Sequence, residues 1–223
     1  MSDEQEQPER VWDEYEWERF LQKQDLKTER YLELLEKYAD NPDREALIAK
    51  EMGWEEAWGE LSDEGADEEA AAAWSECAEE DFRDDEEELE EWEWEAEQHP
   101  LYQRCAALSV WLQEALRLRG FLPAEDPLVD ELSEQVSIMA GKVGAALSGG
   151  DSGELGMTIA YLKRALRASN LALNAAEAVR KKKVLGRVRC SHLRAALFDL
   201  RSGVVEMIGH NREEWRRLYG SMG

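Results

Sequence analysis

No stretch of the 223-residue sequence approaches the roughly 20 apolar residues a bilayer-spanning helix needs, so no membrane association is expected. Cysteine is scarce as well. Cys77, Cys105 and Cys190 are odd in number and far apart, which excludes a disulfide framework and fits a reducing compartment. There is no Cys-x2-Cys pair for thiolate-bound zinc and no Glu-x-x-His pair of the kind ferritin-like di-iron bundles use. The stretch Gly149-Gly150-Asp151-Ser152-Gly153 follows one helical pattern and precedes another but lacks the lysine of a phosphate-binding loop, so it reads as a turn between helices. The acidic start Met-Ser-Asp-Glu lacks the basic end and apolar run of a secretory signal and the basicity of a transit peptide, so a cytoplasmic location is expected.

Positive charge is the other shortage. Against 51 acidic residues stand 27 basic ones, giving a net charge of -24 and excluding a generally basic nucleic-acid binder. The imbalance is not uniform. Residues 1–100 hold 38 acidic and 9 basic side chains, whereas residues 101–223 hold 13 and 18, so the chain is divided into a strongly acidic and a mildly basic part. Such parts attract each other at low salt, and each offers a surface to a partner of opposite sign.

What is plentiful is apolar residues at helical spacing, and no strand-like alternation competes with them. The expected fold is all-α. Residues 1–60 form a helical hairpin, in which Trp12, Tyr15, Phe20 and Tyr31 lie on one long or two abutting helices. Asn41 is the expected N-cap of the next helix and Gly53 its stop. Residues 61–99 are an acidic-aromatic arm or linker, partly helical. Between 55 and 98 lie 22 acidic residues with Arg83 as the only base, interleaved with Trp74, Phe82, Trp92 and Trp94. Like-charge repulsion at that density opposes a compact fold, while the aromatic rings favour covering a surface.

From residue 100 to 223 four heptad-like patterns predict an antiparallel up-down four-helix bundle, because short Gly or Pro turns force sequential helices side by side. The first pattern runs Leu101, Cys105, Leu108, Leu112, Ala115 and the second Val129, Leu132, Val136, Met139, Val143, Ala146. The third, after Asp151 or Ser152 as N-cap, runs from Leu155 through Ile159, Leu162, Leu166, Ser169 and Leu173 to about Val184. The fourth runs Cys190, Leu193, Leu197, Leu200, Val204, Met207, with Trp215 and Leu218 near its end.

Three groups of residues have chemical potential. The turn between the last two helices is basic: Arg180, Lys181, Lys182 and Lys183 are followed by Arg187, Arg189 and Arg194. Such a cluster grips phosphates or acidic protein, and near a helix C-terminus it also complements the dipole. Within it, Arg187-x4-His192 resembles the Arg-x4-6-His element of the HEPN family over six residues, departing from it at Val188. The resemblance implies a helical-bundle ribonuclease acting without metal across a dimer interface. An arginine would hold the scissile phosphate and a histidine move the 2'-hydroxyl proton. Thirdly, Glu206 and His210 at i, i+4, one face with Asp199, would bind a metal if other helices supplied ligands.

The reading these signals favour is a non-enzymatic interaction or scaffold protein without cofactor or metal, whose acidic-aromatic half docks on a basic surface of its own bundle or of a partner. Trp74, Phe82, Trp92 and Trp94 are its anchors and Lys181, Lys182, Lys183, Arg187, Arg189 and Arg194 the receiving cations. Self-association as a homodimer is expected to be compatible with it. The alternative is an RNA-cleaving bundle in which Arg187 and His192 act and the acidic arm masks them.

Overall fold

The computed structural model describes residues 11–54, 97–120, 126–148 and 154–220. Among them the protein has six helices and no strand. Trp74, Phe82, Trp92, Trp94 and Cys77 lie outside the described residues, as does the Gly149–Gly153 turn.

Helix α1 spans Glu14–Lys37 as one uninterrupted helix, and its start is fixed by a capping box. Asp13 Oδ1 accepts the N–H groups of Tyr15 and Glu16, both at 2.8 Å, while Glu16 Oε2 accepts the Asp13 N–H at 3.1 Å. Each side chain thus satisfies a backbone donor that has no partner inside the helix. Helix α2 spans Arg44–Met52, with Asp43 rather than Asn41 in the N-cap position. The Asn41 carboxamide instead accepts the Asp43 N–H at 2.9 Å, closing an Asx turn around Pro42 that delays the helix. Gly53 ends α2 as expected, in the left-handed region at φ 72°, with the Trp54 N–H donating to the Ala49 carbonyl in a Schellman motif.

The remaining helices are α3, Pro100–Arg117, α4, Pro127–Ser148, α5, Leu155–Lys181, and α6, Arg187–Tyr219. His99 caps α3 by accepting the Leu101 N–H through Nδ1, and Pro100 supplies a first-turn residue whose missing N–H costs nothing there. Helix α4 packs on α3 and α5, α6 packs on α5, and α3 also packs on α6. Every residue of the first two sequence patterns is buried. In α5 the apolar face is wider than the heptad predicts: Ala160, Ala165, Ala168, Ala172 and Ala175 are buried with Ile159 and Leu162, because α5 packs far more extensively on α4 and α6 than α3 does on its neighbours. The α5 start also differs, since Glu154 holds the N-cap position without a side-chain bond. On α6 the buried position is Ile208 rather than Met207, and Leu218 is exposed. A straight helix drifts about 20° per heptad, enough to carry the seam by one residue over that length.

The described residues group into two compact units. One joins residues 11–18 to 97–220, so the first turn of α1 belongs with α3 to α6. The other comprises residues 19–54, where Leu34 and Ile48 are buried and Glu51 gathers Lys37 at 2.7 Å and Arg30 at 2.9 Å.

Cys105 and Cys190 are buried free thiols, as their place in the heptads predicts. Burial pushes the Cys105 thiol up to about 12 and also raises that of Cys190. Because the thiolate is the nucleophile, at pH 8 only on the order of one Cys105 in ten thousand is reactive. Alkylation of the native protein is therefore expected to leave Cys105 unmodified, and denaturant to make it react. Mass mapping of the modified cysteines checks this, and prompt native labelling of Cys105 would contradict its burial.

Candidate functional site

The basic turn closes the α5–α6 junction. Lys183 adopts a left-handed φ of 59°, reversing the chain, and the next two residues, Val184 and Leu185, are buried and pin the turn to the core. Arg119, just beyond α3, donates from Nε to the Val184 carbonyl at 3.2 Å and adds another cation to this end. Arg180 is neutralised by Glu177 at 2.6 Å, and Lys182 lies 3.4 Å from Asp126. Lys181, Lys183 and Arg187 are exposed, and none of them, nor Arg189, has an ion pair among the described residues. Arg194 lies over the Phe198 ring at 5.5 Å.

Arg187 and His192 both lie on α6, five positions apart, and both are exposed. At 3.6 residues per turn, five positions turn His192 about 140° around α6 from Arg187. The His192 ring packs on Trp111 of α3, with centroids 4.8 Å apart. Glu206 and His210 are both exposed on α6, and among the described residues Glu214 lies 3.9 Å from His210. Asp199 is taken up by Arg104 at 2.6 Å. Among the described residues no group of three or more His, Cys, Asp or Glu side chains converges as metal ligands.

A second site, which the sequence reading did not single out, holds the Trp12–Glu18 segment against α5 and α6. Glu14, only 9% exposed, receives both Nε and Nη2 of Arg212, at 2.7 and 2.6 Å, and lies 3.6 Å from Lys163. One turn later Glu18 receives Nε and Nη2 of Arg164 at 3.0 and 3.3 Å. Two fork-to-fork pairs four residues apart align the helix turn on the cations. The Arg212 hydrogen bonds hold the Glu14 carboxyl below its ordinary range against the opposing effect of burial, with Lys163 assisting. Between the two carboxylates Tyr15 lies under Lys163, 4.4 Å from ammonium to ring centre, and Trp12 and Trp17 lean together at 5.0 Å.

Gly156 makes this approach possible. A Cβ there would run into the Trp12 carbonyl oxygen, fall 2.9 Å from Trp17 Cδ1 and 3.1 Å from the Asp13 carbonyl carbon. Beside the Glu14–Arg212 pair a cleft of about 330 Å³ is lined by Asp13, Tyr15, Ile159, Trp215 and Arg216. The Asp13-x-x-Glu16 capping box marks in the sequence where α1 begins, but Glu14 and Glu18 carry no signal that sets them apart from the acidic residues around them.

No family model matches the chain, and no curated protein or solved structure matches it significantly.

Proposed function

We propose that the protein is a non-enzymatic helical interaction protein: α3 to α6 form an antiparallel up-down four-helix bundle, and the basic end of that bundle takes acidic-aromatic sequence, in the first instance the chain's own arm at 61–99. The observation that carries this reading is the cluster of exposed cations around the α5–α6 turn that have no ion pair among the described residues. Its fixed backbone supports the reading, since Val184 and Leu185 hold the turn in the core and present the lysines outward. Carboxylates steer such an encounter and aromatic rings anchor it. Self-association as a homodimer belongs to the same proposal, with Phe198 and Val205, exposed and two turns apart on α6, as its apolar contact. The RNA-cleaving alternative has less support, because the His192 ring packs on Trp111 and its activity would need a dimer to bring an arginine to it.

The test is limited proteolysis of the full chain, with cleavage between 61 and 99 followed by mass. Cleavage is expected to accelerate severalfold from low to high salt as the Debye length falls from about 30 Å to about 3 Å. The triple variant Lys181→Glu, Lys183→Glu, Arg187→Glu is expected to be cut fast at both. Cleavage of the parent that ignores salt, or a triple variant that cuts like the parent, would overturn the proposal.

A further inference from the structure

The five residues that sit on Lys163, Arg164 and Arg212 read Glu14-Tyr15-Glu16-Trp17-Glu18, and residues 91–95 read Glu91-Trp92-Glu93-Trp94-Glu95. Four of five positions are identical, and the fifth exchanges one aromatic ring for another. The carboxylates and rings by which residues 14–18 are held have counterparts in the second segment, while Leu89 and Glu90 stand where Trp12 and Asp13 do. Glu91 and Glu95 repeat the i, i+4 carboxylates that Arg212 and Arg164 grip, Trp94 repeats the ring that Gly156 leaves room for, and Trp92 repeats the ring under Lys163.

From this we infer that the surface formed by Gly156, Lys163, Arg164 and Arg212 is a receptor site for the sequence Glu-aromatic-Glu-Trp-Glu, and that residues 91–95 of the same chain are its second ligand, competing with residues 14–18. Neither charge nor apolar area alone defines the site. The two arginines fix the carboxylate spacing, and the absence of a side chain at Gly156 fixes where a tryptophan lies. Chain connectivity delivers the competitor to the right place. Arg104 bonds Asp199 at 2.6 Å, and a Cβ on Gly203 would fall 2.9 Å from Leu101 Cδ1, so the start of α3 stands beside residues 199–203 of α6. Arg212 is nine positions further along α6, about 13 Å at 1.5 Å per residue, and Glu95 precedes Pro100 by only five residues. Whichever segment is bound, the other is released with its carboxylates and rings free for a basic partner. This site uses the first half of α5 and the last third of α6, whereas the basic turn uses the opposite ends of those helices, so the inference does not rest on the function proposed above.

Hydrogen exchange of the full chain tests it. In the double variant Glu14→Lys, Glu18→Lys the amides of residues 92–95 are expected to slow by about tenfold or more, as the vacated site takes the second segment. Core amides of α4 serve as the check that the fold is kept. Unchanged exchange at 92–95 overturns the inference. Should that variant not fold, the parent chain gives the answer with a peptide spanning residues 88–98. Added in excess, the peptide is expected to speed exchange at residues 15–18, while a scrambled peptide of the same composition leaves it unchanged. A peptide without effect, or a scrambled peptide that acts equally, overturns the inference. The triple variant of the basic turn is expected to behave as the parent in both experiments, which separates failure here from failure there.

Discussion

Gly156→Ala is expected to lift residues 12–18 from α5 and to lower the unfolding midpoint of the protein by an amount equivalent to about 1–3 kcal/mol. Alanine usually stabilises a helix relative to glycine by roughly 0.5–1 kcal/mol, so the sign is opposite to the ordinary expectation. The reason is the atoms a Cβ would meet. Two of the three, the Trp12 carbonyl oxygen and the Asp13 carbonyl carbon, are backbone, and backbone cannot rotate away as a long side chain can. Relief comes only if the capping turn at Asp13 moves as a body, taking Glu14 and Glu18 from their arginines. Gly209→Ala on α6 is the control, since a Cβ there meets nothing within 4 Å and the same substitution is expected to be neutral or stabilising. Denaturant midpoints of the two variants check the prediction, and two shifts of the same sign would contradict it.

Arg212→Ala is the second large effect. Glu14 is nearly enclosed, so removing the guanidinium leaves a carboxylate with burial opposing its charge and Lys163 at 3.6 Å as its remaining cation. A fully buried pair broken on one side costs about 3–5 kcal/mol and an exposed one at most about 1. With the Arg212 side chain 37% exposed, solvent screening places the cost between them, at about 1–2 kcal/mol near neutral pH. The pH dependence follows from the lowered Glu14 pKa. A carboxylate whose folded pKa is depressed contributes stability that is fully present above its unfolded value, about 4.3, and is lost as pH falls through the folded value. The parent and Arg212→Ala are therefore expected to differ most above about pH 5 and to converge as Glu14 protonates. Urea midpoints across that range check it, and a difference independent of pH would assign the loss to packing of the arginine stem instead.

The core of the fold was legible because its signal is local and strong. Leu101, Cys105, Leu108 and Leu112 repeat at the spacing of one helix face, and each is buried where that spacing puts it. The alanines of α5 were not legible in the same way. Alanine occurs on exposed and buried faces alike, so only the presence of α4 on one side and α6 on the other distinguishes Ala165 or Ala172 as core. Val184 and Leu185 were hidden by their neighbours, since four successive cations beforehand mark a solvated turn while the two residues that fix it point inward. Glu14 and Glu18 were lost in the opposite manner. In a segment so rich in acid, nothing in the sequence ranks one carboxylate above another until Arg212 and Arg164, some 200 and 150 residues away, are brought to them.

The order in which the helices meet bears on how quickly the chain can fold. Contacts between α4 and α5 and between α5 and α6 join neighbours in sequence, linked by residues 149–154 and 182–186, so their loop-closure entropy is small. Among the described residues, the packing of α3 on α6 and the seating of residues 12–18 join parts of the chain much further apart. The kinetic order that follows is a fast collapse of the three sequential helices, then closure by α3, and last the arrival of the acidic N-terminal turn on a surface already built. A segment that arrives last on a finished surface leaves it again without unfolding what lies beneath.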